Sequence, residues 1–209
     1  KHTQELLEQC NIRFSEPGDC RNDFYTLAAL RFSVPSDFTH NRVGYTEMPF
    51  EDPDEWELGQ PFQLTSAEQK HLKEKEALGE ALGISHLIEG VDHMATRVLA
   101  GEREDAILEF LTLSNYYFWG AYNISEMNSS TNVNRNHHVT DDKHSPAKVF
   151  TANNTASFIN SFENLPMPTE DFVRNYGRRM HHIAYEVVDG DHGSGKKNVD
   201  YVVGELHKL

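Results

Sequence analysis

Two short segments about ninety residues apart constrain the fold most, because each has the pattern of a β-strand with a histidine near its start. In the later segment, residues 180–187, side chains alternate so that His182 and Glu186 share one face. The earlier segment, residues 90–98, carries His93 and alternates in the same way. Two similar strands, each with a histidine at its head, predict a duplicated unit, and the face that carries His182 is the candidate for chemistry.

The excess of acidic residues indicates which kinds of molecule the chain can bind. The 209-residue chain has 19 Lys+Arg against 33 Asp+Glu, for a formal net charge of −14. A surface this acidic repels nucleic-acid phosphates and anionic lipids, so we expect a small molecule or another protein as partner, and neither nucleic acid nor a membrane. The sequence has no apolar run of bilayer length and begins with polar residues, so we expect a soluble, cytoplasmic protein.

The order of predicted elements divides the chain into four parts. Residues 1–50 have the pattern of a helix and three strands, an αβββ piece that precedes or completes a unit. Residues 51–88 form an acidic linker followed by a helix. Residues 89–178 follow the order strand, helix and three strands, a βαβββ unit with the first histidine, and residues 179–209 begin the next unit with the second histidine.

Three motifs carry a family resemblance. In chain order they are Val91-Asp92-His93, Phe158-Ile159-Asn160 and Gly177-Arg178-Arg179-Met180-His181-His182-Ile183-Ala184. In order and approximate spacing they resemble the first iron histidine, the substrate-binding asparagine segment and the second iron histidine of the 4-hydroxyphenylpyruvate dioxygenase family, a branch of the vicinal oxygen chelate superfamily. The resemblance covers roughly half of the chain. It implies an α+β fold of paired βαβββ units that form a half-open barrel.

The resemblance also implies a chemistry. Members of that family hold a ferrous ion, Fe(2+), with two histidines and one carboxylate, which leaves open positions for a 2-oxo acid and dioxygen. His93 and His182 would then be the iron ligands, and Asn160 would hydrogen-bond the substrate. His181 stands where the family has a glutamine, and we interpret it as a surface-facing side chain.

The carboxylate ligand has two open assignments. Glu186 lies roughly 13 Å along the strand from the second histidine, and alternation turns Asp92 to the opposite face from the first. Glu47, on the third strand of the N-terminal piece, has a suitable setting if that piece completes a unit, either within one chain or between the chains of a homodimer. The other assignment is a carboxylate beyond Leu209.

Two further functions compete with the dioxygenase. One is a metal-free or degenerate binding module on the same scaffold, which the altered motif residues favour. The other is a metal-dependent lyase or epimerase of the same superfamily, which uses a divalent metal without oxygen chemistry. Bound iron together with oxygen consumption would distinguish the dioxygenase from both.

Overall fold

The computed structural model describes residues 2–15, 31–45, 64–136, 146–155, 159–160, 165–193 and 195–208. Its helices are α1 (His2–Gln9), α2 (Ser66–Ala81), α3 (Arg103–Leu113), α4 (Pro168–Tyr176) and α5 (Asn198–Leu206). Its strands are β1 (Arg31–Phe32), β2 (Gly44–Tyr45), β3 (Ile88–Arg97), β4 (Tyr116–Ile124), β5 (Ser129–Asn136), β6 (Ala147–Asn153), β7 (Ile159–Asn160), β8 (Leu165–Pro166) and β9 (Arg179–Val187). None of the helices in these ranges is long and apolar enough to cross a membrane.

Five of the strands form one sheet in the order β4-β5-β6-β3-β9. β3 runs parallel to β6, whereas the other neighbouring pairs are antiparallel. Strand β3, helix α3 and strands β4 to β6 are therefore a βαβββ unit, and β9 lies directly beside the first strand of that unit. The predicted α+β fold is confirmed, with a βαβββ unit in a sheet that, within the described residues, stays open and does not close into a barrel.

Alternation along β6 gives the two faces of the sheet different roles. Lys148, Phe150 and Ala152 are buried on one face, where Phe150 and Ala152 join Ala106 and Ile107 of α3 in the hydrophobic core. The alternate residues of β6 line a cavity on the opposite face. Packing therefore stabilises one face and leaves the other available for a site.

A hydrogen-bonded ion pair links the start of α3 to the residue before β9. Gly101 has a φ of 84°, in the left-handed region that glycine adopts without strain, and the helix follows it. The acidic residues Glu104 and Asp105 lie in the first turn, where the helix dipole favours negative charge. Glu102 accepts hydrogen bonds from the guanidinium of Arg178, the residue before β9, with the closer oxygen at 2.9 Å. This partly buried pair ties the second histidine strand to the helix of the first unit.

The N-terminal piece packs on the α3 side of the sheet. Its two short strands pair with each other, and the Phe38 side chain lies against the core cluster under α3. The Tyr45 hydroxyl donates to the backbone carbonyl of Leu113, at the end of α3, over 2.5 Å. The strands predicted at 24–34 and 42–48 lie partly outside the described residues, because positions 16–30 and 46–50 are not described.

A lysine is buried on the core face. The Lys148 ammonium donates to the Thr96 hydroxyl at 2.6 Å and lies 5.4 Å from the centroid of the Phe150 ring. Both Lys148 and Thr96 are buried. Because burial penalises the charged form, it lowers the pKa of the Lys148 side chain to about 8.

The buried lysine makes stability depend on pH. Between about pH 8 and the ordinary lysine pKa of 10.5, the unfolded chain binds more protons than the folded chain, so the free energy of unfolding increases as pH increases. We expect an increase of about 2 kcal/mol from about pH 7 to pH 9.5 in chemical denaturation.

The variant Lys148→Met should lack this increase, because it has no group to titrate. Lys70 is exposed on α2, and the control variant Lys70→Met should retain the increase. Parallel pH profiles for the parent chain and Lys148→Met would contradict the assignment to Lys148.

Candidate metal site

The paired strands β3 and β9 bring the two predicted histidines together. In the antiparallel register His93 is opposite Ala184 and Ala95 is opposite His182, so the histidines are diagonal neighbours across the pair. Their Nε2 atoms are 3.1 Å apart, and their rings meet edge to face at 81° with centroids 5.2 Å apart. The structure thus joins two residues that are 89 positions apart in the chain.

Asp92 supports the first histidine. Its carboxylate oxygen is 2.5 Å from Nδ1 of His93, so an ionised Asp92 accepts a hydrogen bond from Nδ1–H, and Nε2 of the neutral ring is unprotonated. Strict alternation predicts Asp92 on the opposite face, and that prediction is wrong. The register between β3 and β9 shifts between Val91 and His93, and an irregularity of this kind turns a side chain out of the alternating pattern.

His181 supports the second histidine. Its Nδ1 lies 2.7 Å from Nδ1 of His182, and its ring packs edge to face on Phe172 of α4, with centroids 4.6 Å apart. The interpretation of His181 as a purely surface-facing side chain misses this contact, although the residue is exposed. The contact can hold His182 in one ring orientation.

The protons of the three rings can be arranged in two ways. Without a metal, His181 donates to His182, His182 donates through Nε2 to His93, and His93 donates to Asp92. If the His182 proton is on Nδ1 instead, His181 accepts a hydrogen bond from it through its own Nδ1. Both Nε2 atoms that face each other then present lone pairs. Two lone pairs at 3.1 Å repel unless a cation lies between them. The second arrangement is therefore a metal-binding one.

The histidines are held in the charge state that metal binding requires. Burial, followed by the neighbouring His93 ring and the Arg97 charge, lowers the pKa of His182 below its ordinary value. Burial and the Arg97 charge also lower the pKa of His181. Both rings are therefore more readily neutral near pH 7, and a metal ligand must be neutral.

The distance between the two nitrogens fits a metal ion. With metal–nitrogen bonds of about 2.1 Å, nitrogens 3.1 Å apart subtend an angle of about 95° at the metal. That angle is close to the roughly 90° between neighbouring ligands of an octahedral ion. His93 and His182 can thus occupy two adjacent positions of one metal without moving apart.

The third ligand is not among the described residues, which hold no group of three or more His, Cys, Asp or Glu side chains able to bind a metal. Glu47 lies outside the described ranges. Glu186 lines the same cavity but is paired with Gly90, at the far end of the strand pair from the histidines. Asn160 lies in β7, where its backbone pairs with Leu165, and its side chain falls outside the described part.

A cavity of about 430 Å³ opens beside the two histidines on this face of the sheet. Its floor is formed by small apolar side chains of the central strands, and aromatic and charged side chains of β4 and β5 form one side. The lining includes Ala95, Ala147, Val149, Trp119, Tyr122 and Arg135. Its size falls within the range of small-molecule sites.

Comparisons with known proteins give one structural likeness. No protein-family model matches the chain, and no curated protein matches it. A crystal structure of methylmalonyl-CoA epimerase is similar to it at a TM-score of 0.42 and 14% identity, over 58% of this chain and 71% of that chain. The strand order and the β3–β9 pairing define the α+β fold class.

The two-histidine site predicts a specific loss of metal binding. His93→Ala and His182→Ala should each reduce the affinity for a divalent ion by more than the about 10- to 100-fold that loss of a supporting residue costs. Isothermal titration with Co(2+) under anaerobic conditions measures this affinity. The exposed control His86→Ala should bind as tightly as the parent chain, and equal affinities across all four proteins would exclude the site.

His181 should influence affinity through His182. His181→Phe keeps an aromatic ring against Phe172 but removes the proton acceptor, so Co(2+) affinity should fall about 10- to 100-fold. His181→Gln retains an acceptor oxygen and should restore most of that affinity. If the Phe variant binds as tightly as the parent chain, the Nδ1 contact does not support the metal.

Proposed function

We propose that this chain is part of a metal-dependent enzyme in which His93 and His182 hold one divalent ion at the edge of the cavity. The observation that carries the proposal is the facing Nε2 pair at 3.1 Å, with each Nδ1 engaged by a neighbour. Two protein nitrogens leave other coordination positions available for ligands. A substrate with two adjacent oxygen atoms, as in a 2-oxo acid, can occupy two of them.

The leading form of the proposal is a non-haem Fe(2+) dioxygenase that acts on a 2-oxo acid, similar to 4-hydroxyphenylpyruvate dioxygenase. The three sequence motifs support it, and the spatial convergence of the first and third motifs is consistent with it. When bound, ferrous iron would supply a site for substrate chelation and dioxygen. The residues of the chain would fix the histidine tautomers and exclude water along the apolar cavity floor.

The carboxylate that would complete the set of metal ligands has two proposed assignments. Tyr45 anchors the segment before Glu47 to the end of α3, on the core side of the sheet. If Glu47 is the ligand, Glu47→Gln should weaken Co(2+) binding in the same titration. Unchanged affinity would exclude Glu47 as the ligand.

A second candidate is a metal-dependent lyase or epimerase. The carboxylate of Glu186 lines the same cavity as the histidines, and it could act as a base on a substrate that extends from the metal toward the Gly90 end of the strand pair. This chemistry needs no oxygen. A third candidate, the metal-free binding module, is favoured by the hydrogen-bonded chain from His181 to Asp92, which is complete without an ion.

Oxygen consumption decides among these functions. Protein loaded anaerobically with Fe(2+) and given a 2-oxo acid such as phenylpyruvate should consume dioxygen, and His182→Ala should not. An electrode records the consumption. Deuterium uptake from solvent at the carbon next to the carbonyl, faster than with His182→Ala and without oxygen uptake, would favour the lyase or epimerase. Binding of phenylpyruvate that does not depend on metal would favour the binding module.

A further inference from the structure

An arginine lines the cavity and carries hydrogen-bond donors that no residue in the described part of the chain uses. The Arg135 side chain on β5 lines the cavity, and its guanidinium lies 4.5 Å from the ring centroid of Trp119 on β4. Within the described ranges Arg135 forms no ion pair with a carboxylate. Stacking on a ring occupies the face of a guanidinium and leaves its in-plane N–H donors available. Such a fork matches a carboxylate or phosphate.

The strand register places Arg135 across the cavity from the metal site. Asn134 on β5 is opposite Lys148 on β6, so continuing the register by one residue brings Arg135 beside Ala147. Ala147 in turn is paired with His93 on β3. Since neighbouring strands are about 4.8 Å apart, the Cα atoms of Arg135 and His93 are separated by about 10 Å.

The surface between these two points is apolar. Ala147, Val149 and Val133 line the cavity between the arginine and the histidines, and Trp119 and Tyr122 form an aromatic wall beside them. Small apolar floor residues leave room for a flat or aliphatic body, and aromatic walls favour an aromatic one.

The other charged groups of the cavity lie elsewhere. Asp92 is engaged by the His93 ring, and Glu186 is on β9, beside Gly90. Among the described lining residues, Arg135 is therefore the positive group at the β5 side of the cavity, and the carboxylates are on the β3 and β9 side. This polarity favours a ligand whose free negative charge points away from the metal.

We propose that Arg135 binds a second anionic group of the substrate, so that the substrate chelates the metal at one end, carries an apolar or aromatic body, and ends in a carboxylate or phosphate at Arg135. This inference rests on the proposed metal site, since that site orients the other end. Trp119 is a positioning residue that holds the guanidinium in place.

A matched pair of probes tests the proposal. Phenylpyruvate and 4-carboxyphenylpyruvate differ only in the distal carboxylate, and their affinities for Co(2+)-loaded protein can be measured by calorimetry. The parent chain should bind the carboxylated probe at least about tenfold more tightly. The ratio should fall to about one in Arg135→Met and recover in part in Arg135→Lys. Arg13→Met, an exposed arginine outside the cavity, is the control and should keep the parent ratio.

The outcomes separate this inference from the proposed function. A ratio of one in the parent chain, with metal-dependent binding of phenylpyruvate, would overturn the anion site and leave the metal site standing. A ratio that depends on Arg135 but is unchanged in His182→Ala without metal would support the anion site and contradict the metal-dependent function. Failure of both probes to bind at millimolar concentration would contradict both.

Discussion

The antiparallel pairing of β3 with β9 is the interaction on which the site depends. It joins the two histidine-bearing strands, and its register makes His93 and His182 diagonal neighbours on one face. A shift of one residue would turn one histidine to the other face, because side chains alternate along a strand. The Glu102–Arg178 pair, next to the start of β9, helps to hold the strand in place.

The two faces of the sheet have different roles, since one packs into the core and the other lines the cavity. The core face buries Phe150 and Ala152 against α3, and it also buries Lys148 with a hydroxyl partner. The opposite face is lined by small apolar residues and keeps an open cavity. Because the two sets of residues alternate along the same strands, a substitution in the cavity need not disturb the core. Residues that face the cavity can therefore be tested by substitution with little cost in folding.

Much of this arrangement follows from periodicity. Alternation and the repeated histidine predict β3 and β9, and the element order predicts a βαβββ unit within residues 89–178. The common site of the two imidazoles follows from the family resemblance. The polar residues 129–136 favour a loop in the sequence, whereas they form strand β5. Alternation fails at Asp92, because the register irregularity beside it is set by pairing with β9 and leaves no mark in the local sequence. Only its position directly before a histidine hints at a supporting role.

Three further residues, Arg135, Trp119 and His181, could not be predicted as site residues because their contacts depend on the folded structure. Arg135 and Trp119 belong to no motif in the sequence, and only the order of strands in the sheet places them in the same cavity as His93. His181 contacts the ring of the adjacent His182, and this contact depends on the rotamers of both histidines and on packing of His181 against Phe172. The predictions for Glu47 and for the Asn160 side chain fall outside the described residues and stay predictions.

X-ray absorption on the Fe(2+)-loaded protein tests the central claim most directly. The account predicts a first shell that contains two imidazole nitrogens at about 2.1 Å, with the outer-shell scattering that imidazole rings produce. The His182→Ala protein should show one imidazole fewer. A shell of oxygen atoms alone, or a spectrum that is the same in the two proteins, would contradict a metal held between His93 and His182.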